Sequence, residues 1–201
     1  MARLYERLEE SLQRFITAQP MFFVATAPTD GGRVNLSPKG YRDTFAILDE
    51  HTVAYLDLFG SGVETIAHLR DNGRITIMFC SFTRNSKIVR LQGHGRVVRP
   101  DDPEFATLAS RFGAGHPGVR AVIVVRCERI ADSCGFSVPY MDLVEERAVL
   151  DTHHGRKSDA DFARRIGGDN AASIDALPAL HADHPLPSTV RGASESSPAR
   201  E

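Results

Sequence analysis

Residues 52–82 read TVAYLDLFGSGVETIAHLRDNGRITIMFCSF. Thr52 to Leu58 is rich in apolar, aromatic and β-branched residues and predicts a strand. Ser61 followed three residues later by Glu64 has the spacing of a capping box, which predicts a helix starting at Ser61. Asn72-Gly73 is a helix stop. Arg74 to Phe82 (RITIMFCSF) then predicts a second strand. Helices are inserted between only some of the strands and do not alternate with them regularly, and that decides the fold class.

Upstream, Met21 to Ala27 (MFFVATA) predicts a buried strand and Arg33 to Ser37 (RVNLS) a second, joined by the turn residues Thr29-Asp30-Gly31-Gly32. Pro38-Lys39-Gly40 is expected to break that strand. Thr44 to Leu48 is a further strand, turning at Asp49-Glu50-His51 into Thr52–Leu58. Tyr5, Leu8, Leu12, Phe15 and Ile16 fall on one face at helical spacing, which predicts an amphipathic helix ended by Pro20. Downstream, Lys87 to Val98 (KIVRLQGHGRVV) and Arg120 to Ala131 (RAVIVVRCERIA) are long strands. Gly93 and Gly95 suit a bend or a close approach. Asp102-Pro103-Glu104 opens a helix expected to reach about Phe112. Most strand connections are hairpin-like, which excludes a doubly wound parallel sheet. The expectation is a mainly β (α+β) fold, an antiparallel barrel of six to seven strands with peripheral helices. Residues 1–150 would form this domain. Short polar helices are expected at Met141–Leu150 and Ser158–Ile166, and residues 151–180 would be a helical extension. Residues 181–201, rich in Pro, Ser, Ala and charge, would be a poorly ordered tail.

A length of 201 residues suits one domain with a real core. A formal net charge of −2 gives no electrostatic grip on nucleic acid or anionic membrane. No apolar run approaches a bilayer span, and the charged N-terminus lacks a signal-peptide core, so a cytoplasmic address is expected. Three cysteines without a C-x-x-C pair indicate neither a disulfide framework nor a zinc site. Cys80 and Cys127 read as small buried apolar residues; Cys134, in a Gly- and Pro-bearing loop, could lie near a redox site. The histidines form no ligand set, and hydrolase motifs are absent.

Three segments could carry chemistry. Leu58 to Thr65 puts glycines and the hydroxyls of Ser61 and Thr65 at a helix start, where free amides and the helix dipole favour an anion. The alternative there is an ordinary capped helix, and Glu64 would compete with an anion unless it turns back to the cap. Asn35-Leu36-Ser37-Pro38-Lys39 sets Asn35 and Ser37 on one strand face with a cation after them, suited to the carbonyl edge of a ring or to a solvated hairpin edge. Lys87 and Arg90 stand among strand apolars, where an arginine either snorkels at a rim or pairs with an anion.

Taken in order, FFVATAP (22–28), RVNLSPKG (33–40), the 52–82 stretch, KIVRLQGHGRVV (87–98), RAVIVVRCERIADSCGFSVPYM (120–141) and ASIDALPAL (172–180) resemble the pyridoxamine 5′-phosphate oxidase-like family, over about residues 5–180. The resemblance is to a bacterial subgroup carrying NLSPKG, GSG-x-ET and SCG-x-x-VP. It implies a split barrel, a homodimer and FMN held at the dimer interface. It places Ser61, Gly62, Val63 and Thr65 at the FMN phosphate, Asn35, Ser37 and Lys39 near the flavin ring, and Lys87 and Arg90 on the facing strand. The oxidase proper carries an Arg-Lys pair where Gly62-Val63 stand here, so two cationic phosphate contacts are missing. No match to its terminal vitamin-phosphate segment is seen in DALPALHADHPLP. The implied activity is hydride transfer between flavin and a small substrate. A reductase using the deazaflavin coenzyme F420 on the same fold, or a non-catalytic flavin binder, are the alternatives.

Overall fold

The computed structural model describes residues 3–113 and 115–187. Its centre is one antiparallel sheet. The strands are β1 (Arg3–Tyr5), β2 (Phe22–Thr26), β3 (Asn35–Lys39), β4 (Phe45–Ile47), β5 (Thr52–Leu58), β6 (Arg74–Cys80), β7 (Lys87–Val98) and β8 (Val119–Cys134). Their order is β3-β2-β6-β7-β8-β5-β4, with β1 pairing to β8 off that path. The helices are α1 (Glu10–Thr17), α2 (Glu64–Asp71), α3 (Phe105–Ala109), α4 (Val149–His154) and α5 (Asp159–Gly167).

The sheet curls into a half-barrel. Phe22 on β2 and Phe45 on β4 come from opposite ends of the strand order, yet their rings lie 5.1 Å apart. Both also pack on Phe79 of β6. Val24, Ile77, Leu91, Ile123 and Val125 fill the concave side, and α1 closes it with Leu12, Phe15 and Ile16. A smaller apolar cluster of Leu56, Val98, Phe105, Phe112 and Val122 seats α3 on the other face. A bulge falls between Gln92 and Gly93. A Cβ at Gly93 would collide with the Arg126 carbonyl oxygen, so the close approach expected of that glycine is real.

Several expectations need correction. Tyr5 is not helical: it lies in β1, paired with Ile130, and its hydroxyl donates to Asp132 at 2.6 Å. Pro38 does not break its strand; it sits inside β3 opposite Phe23. β3 is an edge, where a missing N–H costs no ladder bond. The helix expected from Ser61 starts at Glu64, with Val63 at the cap position and no side-chain cap. Glu64 does not turn back, because both its carboxylate oxygens lie 3.2 Å from the Ile174 amide, which donates to them. The helix opened near Asp102 covers only Phe105–Ala109. Residues 141–148 form no helix. The stretch after His181 begins packed rather than loose: His184 is buried, and its Nε2 donates to the Arg120 carbonyl at 3.1 Å. The rest of the expected tail, 188–201, lies outside the described residues.

Candidate functional site

The turn from β5 into α2 meets the edge strand β3 because the curled sheet brings its two ends together. Between them lies a cleft of about 290 Å³. Asn35, Ser37, Lys39, Ser61, Gly62, Val63 and Thr65 all line it. Pairing sets the first three on the concave side: Asn35 stands opposite Thr26, Ser37 opposite Val24 and Lys39 opposite Phe22, all three partners buried. Hydrogen bonds tie the polar groups into one array. Ser37 Oγ donates to Asn35 Oδ1 at 2.9 Å, and Asn35 Nδ2 donates to Thr65 Oγ1 at 3.2 Å and Thr26 Oγ1 at 3.3 Å. Thr65 thus accepts through its oxygen and keeps its own proton to donate.

The floor of the cleft is ionic. Asp57 is fully buried and holds Lys39 Nζ at 3.2 Å and Arg120 Nε at 2.7 Å. Burial works to raise the Asp57 carboxyl. The charges of Arg120 and Lys39, with their hydrogen bonds, outweigh it and hold the group below its ordinary value. One carboxylate between two cations leaves this group with a net positive charge, while the Glu64 carboxylate also lines the cleft. Beside it the Tyr55 phenol is pushed well up, by burial first and then by Asp57, so it stays protonated.

Arg120 is the site residue that sequence reasoning missed. It opens an apolar run and reads as a flank. Its partner was visible: Val53, Tyr55 and Asp57 share a strand face, and a carboxylate on a core face demands a cation. Arg120 NH1 also donates to the Gly62 carbonyl at 3.1 Å and to Asn170 Oδ1 at 3.0 Å.

Lys87 and Arg90 are not brought into this cleft by their own chain. Val89 and Leu91 are fully buried, so Arg90 between them points to the convex face, where NH1 donates to Ser133 Oγ at 3.0 Å. Lys87 pairs with Asp132 at 3.6 Å. Cys134 is exposed at the end of β8, away from the cleft. Cys80 and Cys127 are buried as expected, and burial pushes the Cys127 thiol up to about 12. Among the described residues no His, Cys, Asp and Glu group could hold a metal, and no helix is long and apolar enough to cross a membrane.

The cleft thus gathers the groups expected from the two segments. It offers the hydroxyls of Ser37, Ser61 and Thr65, the cations Lys39 and Arg120, the carboxylate of Glu64 and a helix start without a side-chain cap. A Cβ on Gly62 would meet nothing within 4 Å, so a ligand can approach that backbone closely.

The family profile described as pyridoxamine 5′-phosphate oxidase matches residues 8–134. The pyridoxamine 5′-phosphate oxidase family protein ustO of Aspergillus flavus is 39% identical over 196 residues, covering 90% of this chain and 79% of that protein. Among solved structures, HupZ of Group A Streptococcus is 24% identical with a TM-score of 0.46, covering 60% of this chain and 90% of its own. A FAD-binding protein of Mesorhizobium loti is 15% identical with a TM-score of 0.47, covering 66% and 96%. The profile match runs from the start of the core through the last strand of the sheet, and the alignment with ustO covers 90% of the chain. The chain therefore belongs to the pyridoxamine 5′-phosphate oxidase family.

Proposed function

We propose that this protein is an FMN-dependent oxidoreductase acting on a small substrate as a homodimer. One observation carries the reading. Two segments apart in sequence, 35–39 and 61–65, form a single cleft that carries uncapped amides, hydroxyls and a lysine. Those are donors that a ribityl phosphate and a flavin ring require. Membership of the family supports it.

The amides of 61–65 and the hydroxyls of Ser61 and Thr65 take the phosphate. Asp57 fixes the Lys39 ammonium and stops it from wandering into solvent. A cation held at the N1–C2 carbonyl edge of a flavin favours its reduced form. FMN, when bound, supplies the hydride chemistry. The Glu64 carboxylate on the lining accepts from the Ile174 amide. Arg90 reaches a flavin only if the convex face of a second copy closes over the cleft, which is why the reading includes a dimer.

Absorbance of freshly purified protein, mass spectrometry of the released cofactor and anaerobic reduction by NAD(P)H test the proposal together. The expected result is a flavin spectrum, the FMN mass and bleaching on reduction. Release of a deazaflavin would assign the alternative reductase. A flavin that no donor reduces would leave a passive binder and contradict the enzyme reading.

A further inference from the structure

Two guanidinium groups grip the loop before α2 from behind. Arg165 NH1 of α5 donates to the Gly60 carbonyl at 2.7 Å, and Arg120 NH1 donates to the Gly62 carbonyl at 3.1 Å. No peptide bond in the described chain is cis. In a planar trans peptide the C=O and the next N–H point in opposite directions. Fixing the carbonyls of Gly60 and Gly62 on the guanidinium side therefore turns the amides of Ser61 and Val63 the other way. Among the described residues, neither amide donates to a protein acceptor.

The grip is itself anchored. α5 begins at a capping box between Ser158 and Asp161. Phe162 packs on Phe59 with ring centroids 5.2 Å apart, directly before the gripped loop. Buried Asn170 receives Arg120 through Oδ1, and its amide donates to the Arg165 carbonyl at 2.9 Å, joining the two arginines. The loop and the segment that orients it are about a hundred residues apart, so local turn geometry does not set these peptides.

We propose that Arg165, on the helical extension after the barrel, is a positioning residue for the anion site. It orients the Ser61 amide toward a ligand phosphate without touching the ligand, while Arg120, which also lines the cleft, turns the Val63 amide through its hold on the Gly62 carbonyl. The extension is thereby part of the binding site rather than an appendage. This rests on the FMN reading above.

The test is fluorescence titration of FMN and of riboflavin, which lacks the phosphate, against the full chain. Wild type is expected to prefer FMN by at least tenfold. Arg165→Met is expected to weaken FMN at least tenfold while leaving riboflavin within about twofold, a loss confined to the phosphate. Arg165→Lys keeps a donor for the Gly60 carbonyl and is expected to restore most of the preference. An unchanged FMN-to-riboflavin ratio in Arg165→Met overturns the inference. So does equal loss of both flavins, which marks a merely structural residue. Should Arg165→Met fail to fold, the ratio in Arg165→Asn decides by the same criteria. Wild type without preference for FMN would overturn the phosphate assignment first and this inference with it.

Discussion

Asp57 sits at the centre of the ionic floor, and its energetics are asymmetric. Two charges leave water to meet it, yet removing it strands Arg120, which is only 3% exposed, beside a neutral site. Breaking such a pair from one side costs about 3–5 kcal/mol. Asp57→Ala should lower the unfolding free energy by that order in urea titration. The pH dependence follows from the depressed carboxyl. A folded pKa below the unfolded one, about 3.9, means that the contribution is complete above that value. It is lost as pH falls through the folded pKa. Asp57→Asn should therefore be less stable than wild type at pH 6, with the gap closing below about pH 4. A gap that widens on acidification would contradict the assignment. The residue was legible as a problem from the parity of TVAYLDL, but its solution, Arg120, was not. The pairing spans 63 positions and no local pattern announces it.

At the scale of elements, sequence reading failed where distant groups outbid local ones. The Ser61–Glu64 spacing is that of a capping box, yet Glu64 is drawn to Ile174 and the helix starts uncapped. The mistake bears on function, because a capped start would have offered an anion fewer free amides. The helical periodicity of the first residues was genuine for Leu12, Phe15 and Ile16, while Leu8 is buried just before the helix. Tyr5 fits the same spacing but pairs with β8 instead. The strands themselves were legible because alternation and turn residues are local properties. The segment after α5 was underrated because its composition is polar, while His184 docks under β8. Burial lowers the His184 pKa, and the nearby charges of Arg99 and Arg120 add to that against the pull of its hydrogen bond. His154 is lowered likewise, burial leading. A histidine whose folded pKa is depressed withdraws stability as pH falls below its unfolded value, about 6.5. The urea midpoint should decline between pH 7 and pH 5, and His184→Gln should decline less steeply. Equal slopes would show that His184 binds protons alike in the folded and unfolded states, and would contradict a depressed folded pKa.

For the whole molecule, the curl of the sheet creates the site. Phe22, Phe45 and Phe79 close the half-barrel, and that closure carries β3 to the start of α2. Neither segment is a binding site alone; Lys39 reaches Asp57 only because strands from the two ends of the order meet. The convex face remains, with Arg90 on it and exposed Val34 and Leu36 at its edge. If that face closes the cleft of a second copy, light scattering should give twice the mass of a 22.1 kDa chain. A monomer that retains flavin would contradict the dimer.

The central claim is that main-chain amides and two hydroxyls at the start of α2 hold a flavin's phosphate. Calorimetric titration of FMN into wild type and into the Ser61→Ala, Thr65→Val double variant measures it directly. Hydrogen bonds to a charged group are worth roughly 1.5–3 kcal/mol each. The double variant should therefore bind FMN at least tenfold more weakly, with riboflavin affinity unchanged. Equal FMN affinity in both proteins would contradict the account.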